Sequence, residues 1–127
     1  MKGTIHHIEI NVSSLEKSRQ FWGWLLNELG YIVHQQWDMG ISYKLDHTYL
    51  VFVQTKSKHL FMDYHRGRTG LNHIAFHVDS VEELNKVTKQ LKEKHIAILY
   101  PEKYPSDKHH AVYFEDPDRV KVEIVAD

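Results

Sequence analysis

The stretch GTIHHIEINVSSLEKS, residues 3–18, returns later in the chain as TGLNHIAFHVDSVEEL, residues 69–84. A shift of 66 positions brings His7 onto His73 without a gap, and the other matched pairs include Ile8 with Ile74, Val12 with Val78, Ser14 with Ser80 and Glu16 with Glu82. Repetition of this kind predicts a fold made of two similar modules.

Each copy is predicted to be a strand followed by a helix. IHHIEINV and LNHIAFHV are short runs rich in β-branched and aromatic residues, which is typical of strands. Each run stops at a helix start signal, Ser13-x-x-Glu16 in the first copy and Asp79-x-x-Glu82 in the second. Apolar residues then recur at helical spacing, and the first helix is expected to end near Gly30.

Further strand candidates follow each helix. They lie at 31–37, 40–45 and 49–55 in the first half and at 96–100, 110–115 and 119–125 in the second. The sequence therefore predicts an α+β protein of two βαβββ modules, at about 4–57 and 70–126, joined by a linker at 58–69. We expect one domain with a curved, cleft-lining sheet and with the helices on its outer face.

Composition limits the classes of partner. The formal charge of −1 indicates no long-range attraction for nucleic acid or for an anionic membrane. We expect a cytoplasmic protein, because no leader and no long apolar run can be drawn. The chain has no cysteine but 11 histidines, so any bound metal would depend on imidazole and carboxylate ligands.

The alternation of side chains along each repeated strand predicts a candidate site. Ile8, Ile10 and Val12 share the face that can pack on a helix, which leaves His7, Glu9 and Asn11 on the other face. The same alternation in the second copy places His73, Ala75 and His77 together on the face away from the helix. The two polar faces are expected either to meet water or to curve around a shared cavity.

The chain resembles the vicinal oxygen chelate superfamily, which includes glyoxalase I, extradiol dioxygenases, fosfomycin-resistance thiol transferases and bleomycin-resistance proteins. The resemblance depends on the histidine-bearing opening strands and on the closing hairpin FEDPDxxKxE, present as residues 114–123. It implies paired βαβββ modules with a metal in the cleft, and a homodimer.

The resemblance also implies the metal ligands, which fall on His7, His73 and Glu123. A fourth ligand would come from the last strand of the first module, where Phe52 or Gln54 occupies the position, depending on register. A carboxamide oxygen can bind a hard cation, whereas phenylalanine cannot. The ion would be zinc, nickel, manganese or iron.

Other residues are assigned to the same cleft. Glu9 is a candidate general base, because a carboxylate in a partly apolar cavity can be tuned for proton transfer; it is equally consistent with an exposed sheet edge. Glu123 is the second catalytic candidate. The expected substrate pocket includes Asn11, Phe52, His77, Tyr43 and Tyr113.

Two classes of function remain open. The first is a divalent-metal-dependent lyase or isomerase of glyoxalase type that acts on an oxygenated small molecule. The second is a metal-free protein that sequesters a small ligand, as bleomycin-resistance proteins do. An antibiotic-modifying thiol transferase and a dioxygenase are the weaker alternatives, because few cationic residues accompany the site and the chain is short.

Overall fold

The structure, a computed structural model, describes residues 1–127. The chain divides into two compact units, Met1–Asp63 and Tyr64–Asp127. Each unit contains one four-stranded mixed sheet and one long helix, in the order βαβββ. The predicted α+β class and the two repeated modules are confirmed.

The first unit is built on a sheet in the order β1-β4-β3-β2. Its elements are β1 (His7–Val12), α1 (Leu15–Glu28), β2 (Ile32–Trp37), β3 (Gly40–Leu45), β4 (Thr48–Gln54) and a short 3-10 helix (Ser57–His59). Strand β1 is parallel to β4, and the remaining pairs are antiparallel. Trp22, Leu25 and Leu26 are the buried side of α1, and the Trp22 ring stacks on Phe52 at 5.0 Å between centroids.

The second unit repeats this topology with the order β5-β8-β7-β6. Its elements are β5 (His73–His77), α2 (Val81–Glu93), β6 (Ile98–Leu99), β7 (Ala111–Glu115) and β8 (Lys121–Val125). Leu84, Val87 and Leu91 form the buried side of α2. The opening strands β1 and β5 each pair in parallel with the last strand of their own unit, so the first and last segments of each module become neighbours.

The helix starts differ from the sequence prediction by one residue. The N-caps are Ser14 and Ser80, whose hydroxyls accept hydrogen bonds from the backbone N–H groups of Lys17 and Glu83. The predicted caps at Ser13 and Asp79 are wrong, because either of two adjacent polar residues fits the pattern and only the backbone geometry selects one. The end of α1 is as predicted, with Gly30 at a φ of 93° just after the C-cap Leu29.

The hairpin between β7 and β8 is fixed by Asp116. Its side-chain Oδ1 accepts hydrogen bonds from the backbone N–H groups of Asp118 and Val120, each at 2.8 Å. Satisfying two backbone donors in the turn sets the register that pairs Glu115 with Lys121 and Tyr113 with Glu123. This register decides which side chains of β8 lie together on one face.

None of the helices is both long and apolar enough to cross a lipid bilayer.

The Phe52 ring should be a main source of stability in the first unit, because it is 1% exposed and stacks on Trp22. We expect Phe52→Ala to lower the free energy of unfolding by about 3 to 5 kcal/mol through loss of burial and formation of a cavity. Urea unfolding followed by tryptophan fluorescence would measure this loss. Phe61→Ala is the matched control, since Phe61 is 80% exposed, and its effect should stay within about 0.5 kcal/mol. Similar losses in both variants would contradict this packing.

Candidate metal centre

The candidate site in the second unit is centred on a buried carboxylate. Glu123 is 5% exposed and lies on β8 between Val122 and Ile124, both of which are fully buried. Because successive strand residues point to opposite faces, Glu123 projects away from the side on which its two neighbours are packed. Burial of a carboxylate is costly unless the charge is paired, hydrogen-bonded or bound to a metal.

The neighbours of Glu123 are imidazoles and a phenol. Its Oε1 lies 3.2 Å from His73 Nε2, and its Oε2 lies 2.6 Å from His109 Nε2. Tyr113 also hydrogen-bonds to Glu123, and its hydroxyl lies 3.3 Å from His109 Nε2. A carboxylate surrounded by nitrogen and oxygen donors has the ligand types that divalent transition metals prefer.

The orientation of His73 is set by Asn72. The Asn72 amide nitrogen donates to the Arg66 carbonyl at 3.4 Å, so its Oδ1 faces His73 Nδ1 at 2.8 Å and accepts from it. With the proton on Nδ1, a neutral His73 presents the lone pair of Nε2 to Glu123 Oε1. Two lone-pair donors 3.2 Å apart repel each other unless a proton or a cation lies between them. Outer hydrogen bonds of this type are characteristic of metal-binding histidines.

His109 is held in place by its own loop. Its backbone N–H donates to the Ser106 carbonyl at 3.2 Å and to the Ser106 hydroxyl at 3.1 Å, while its carbonyl accepts from the Ser106 N–H at 2.9 Å. This small bridge precedes β7 and directs the imidazole toward Glu123. The loop therefore adds a polar contact to those that His73 on β5 and Tyr113 on β7 make with Glu123.

Tyr113 remains a neutral donor in this environment. Burial raises the pKa of the Tyr113 phenol far above its ordinary value, and the hydrogen bond and charge of Glu123 raise this pKa further. The phenol therefore keeps its proton and can donate it to the carboxylate. Tyr113 also begins an aromatic wall, with ring centroids 5.0 Å from Tyr104 and 5.5 Å from Tyr100.

In the first unit, His7 lies in a group of imidazole and phenol rings. It stacks on Tyr49 with centroids 4.8 Å apart and planes within 5°, and its Nδ1 lies 2.8 Å from Nδ1 of His6. His34 approaches the same Tyr49 ring at 5.1 Å. The predicted neighbours Glu9 and Asn11 are exposed on the same strand.

The structure brings His73, Glu123 and Tyr113 of the predicted set together within one unit. No group of three His, Cys, Asp or Glu side chains is arranged to hold a metal ion. The roles of His7 as a third ligand and of Glu9 as a base stay predictions of the repeat and of the family resemblance.

The placement of Phe52 and Gln54 corrects the expected fourth-ligand position. In β4, the partners of His7, Glu9 and Asn11 are Tyr49, Val51 and Val53, so by alternation Phe52 and Gln54 point to the other face, toward α1. Phe52 stacks on Trp22. The Gln54 amide instead binds the start of α1, accepting from Leu15 N at 2.9 Å and donating to the Ser13 carbonyl at 2.9 Å.

Val51 occupies the position in the first unit that Glu123 occupies in the second. Glu9 pairs with Val51 in β1 and β4, just as Ala75 pairs with Glu123 in β5 and β8. The opening strands repeat with a shift of 66 residues, whereas these closing positions are 72 apart, since the loops differ in length. The position that the resemblance implied at Phe52 or Gln54 therefore corresponds by strand pairing to Val51, which has no atom that can bind a metal.

Two further pocket residues do not lie where the sequence suggested. Tyr43 is buried and faces α1, with its ring 6.0 Å from the Phe52 ring. Its position on this face follows from strand pairing, because Ile41 and Tyr43 of β3 pair with Phe52 and Leu50 of β4. His77 is 88% exposed in its side chain and lies 3.5 Å from an Asp127 carboxylate oxygen. Neither residue contacts Glu123.

Sequence reasoning missed His109, Tyr100 and Tyr104. Alternation identifies only residues on strands, and these three lie in the segment between β6 and β7 or at its edge. The available signal was chemical, since the segment 100–110 contains two tyrosines and two histidines ahead of the closing hairpin.

The fold and this site define a protein with a duplicated βαβββ architecture and an imidazole–carboxylate centre. The chain belongs to the Glyoxalase/Bleomycin resistance protein/Dioxygenase superfamily, whose sequence pattern matches residues 4–124. It is 52% identical over 125 residues to the uncharacterized protein YqjT of Bacillus subtilis (strain 168), covering 96% of this chain and 98% of that one.

Solved structures show the same architecture. A provisional glyoxalase from Bacillus halodurans is 52% identical and superposes with a TM-score of 0.97, covering 99% of this chain and 97% of that chain. A mutant of the fosfomycin resistance protein FosX from Listeria monocytogenes is 19% identical with a TM-score of 0.71, covering 99% and 91% of the two chains. The latter was solved with Mn(II) and a dihydroxypropylphosphonic acid.

Gln54 should act in folding rather than as a ligand. Gln54→Ala removes two hydrogen bonds to backbone groups at the start of α1, and we expect a loss of about 1 to 2 kcal/mol in the free energy of unfolding. Its metal affinity should equal that of the wild type when both are titrated with manganese or zinc. A loss of metal affinity without a loss of stability would restore Gln54 as a ligand.

Proposed function

We propose that this protein is a divalent-metal-dependent enzyme of glyoxalase type, a lyase or isomerase that acts on an oxygenated small molecule. The observation that supports this most strongly is the buried Glu123 facing the Nε2 of His73 at 3.2 Å, while Asn72 holds the other ring nitrogen of His73. Family membership supports the same class of activity.

The donor set fits a divalent ion. Two ligands that each lie about 2.1 Å from one ion are about 3 Å apart, which agrees with the spacing of His73 Nε2 and Glu123 Oε1. One imidazole and one carboxylate suit zinc, nickel, manganese and iron. His73 and Glu123 would hold the ion, and we assign a further ligand to His7 from the sequence repeat. FosX provides a case in which this fold accommodates Mn(II).

Each residue of the centre has a distinct task. When bound, the divalent ion would act as a Lewis acid on a substrate oxygen and stabilise negative charge that develops there. Asn72 fixes the ring of His73, and His109 fixes the second oxygen of Glu123. Tyr113 donates a hydrogen bond from a phenol that stays protonated. The Tyr100, Tyr104 and Tyr113 rings contact one another and would offer an apolar surface to the substrate.

Proton transfer is assigned to Glu9 in this proposal. The Glu9 carboxylate is exposed, so no buried ion pair has to break before it accepts a proton from a substrate carbon. A cytoplasmic location and a small-molecule substrate complete the proposal.

Metal content tests the proposed centre. We expect protein purified without a histidine tag to bind about one divalent ion per chain, and His73→Ala and Glu123→Gln each to weaken binding by at least about tenfold, because each variant removes one ligand. His7→Ala should weaken binding similarly if it is the third ligand. Metal analysis together with zinc and manganese titration would measure these effects.

His47→Ala serves as the control, since His47 is exposed in the turn between β3 and β4. It should bind metal as the wild type does. Absence of binding after addition of zinc, nickel, manganese and iron(II), with all variants folded, would overturn the enzyme proposal and favour the metal-free binding protein. Loss of metal binding in His73→Ala and Glu123→Gln, but not in His7→Ala, would exclude His7 as a ligand and leave the other two assignments in place.

We also propose a homodimer, on the basis of the family resemblance. Multi-angle light scattering at micromolar concentration should give twice the mass of the 15.1 kDa chain. A mass equal to that of one chain over the same concentration range would reject the dimer.

A further inference from the structure

A second polar cluster lies at one end of the same sheet. Arg66 forms an ion pair and hydrogen bond with Glu115, and Arg119 Nε lies 3.5 Å from the same Glu115 oxygen. Lys121 is the cross-strand partner of Glu115, yet its ammonium contacts the hydroxyl of Tyr100 at 3.4 Å and lies 5.4 Å from the centre of that ring. Three cationic side chains thus gather around one carboxylate and one phenol.

The Tyr100 hydroxyl receives two cationic donors. Arg66 and Lys121 both hydrogen-bond to it, and the bond from Lys121, against a smaller effect of burial, lowers the pKa of the phenol below its ordinary value. The neighbouring Tyr113, with its ring 5.5 Å away, has a raised pKa because it is buried beside Glu123. The Tyr100 end of the sheet face thus has three cations around the single carboxylate of Glu115, whereas the Tyr113 end has the Glu123 carboxylate.

Two of the cations, Arg66 and Arg119, line a cavity that borders the candidate metal centre. Arg66 lines a cavity of about 290 Å³ whose wall also contains Arg119 and Asn72. Asn72 is the residue that fixes His73, at 2.8 Å, and His73 pairs with Lys121 across β5 and β8. A small molecule that reaches His73 and Glu123 could place a second group beside these cations.

We propose that Arg66, Lys121 and Tyr100 bind an anionic group, a carboxylate or a phosphoryl group, of the small molecule on which the protein acts. Guanidinium and ammonium groups form charge-assisted hydrogen bonds with both kinds of oxyanion, and the phenol adds a neutral donor. The choice of substrate class rests on the proposed function, whereas binding of the anion by this cluster is measurable whether or not a metal is present.

Anion binding by the full-length protein tests the proposal. Inorganic phosphate and acetate are titrated separately into the as-purified protein, and chemical-shift changes in its NMR spectrum give the dissociation constants. We expect saturable binding of at least one anion that weakens with added salt. Lys121→Met should weaken it by about tenfold and Tyr100→Phe by about fivefold, because each loses a donor to the anion.

Lys89→Met is the matched control, since Lys89 is exposed on α2, and it should bind as the wild type does. Tighter binding of phosphate assigns a phosphoryl group, and equal or tighter binding of acetate assigns a carboxylate. No saturable binding of either anion, or equal effects of Lys121→Met and Lys89→Met, would overturn the proposal. Metal content measured on the same samples separates this result from failure of the metal centre.

Discussion

The second unit is organised around the need to compensate a buried carboxylate. Glu123 lies between Val122 and Ile124, which are packed in the core, so it cannot move to solvent without breaking the alternation of β8. An isolated carboxylate in such a place would be strongly unfavourable. His109, His73 and Tyr113 remove that cost with contacts from a loop and from both strands that flank β8. The Asp116 turn sets the register that makes these contacts possible.

The two units share a topology but differ in chemistry. Val51 is the counterpart of Glu123, and Tyr49 is the counterpart of Lys121. In the first unit the opening histidine therefore stacks on an aromatic ring, whereas in the second it faces a carboxylate. A duplicated scaffold has kept its hydrophobic pattern, on which folding depends, while the polar positions of its closing strands have diverged.

Opposite electrostatic environments lie a short distance apart on the second sheet. Burial and the neighbouring Glu123 raise the pKa of the Tyr113 phenol, while Lys121 and Arg66 lower the pKa of the Tyr100 phenol. Both tyrosines have the same intrinsic chemistry, and only their burial and their charged neighbours distinguish them. Such a gradient can orient an elongated polar ligand in one direction, which is a basis for specificity that the apolar rings alone would not supply.

The sequence alone determined the duplicated βαβββ plan, because strand alternation, helical spacing and Gly30 are local signals that tertiary packing did not override. It also predicted His73 and Glu123 as candidate ligands, through the repeated opening strand and the family resemblance of the closing hairpin, and the structure places the two side chains 3.2 Å apart. Only the tertiary structure decided that Gln54 binds the start of α1, that Val51 faces the side of His7, and that His109 reaches Glu123. Those outcomes depend on strand pairing and loop length, and neither is encoded in the period of a single segment.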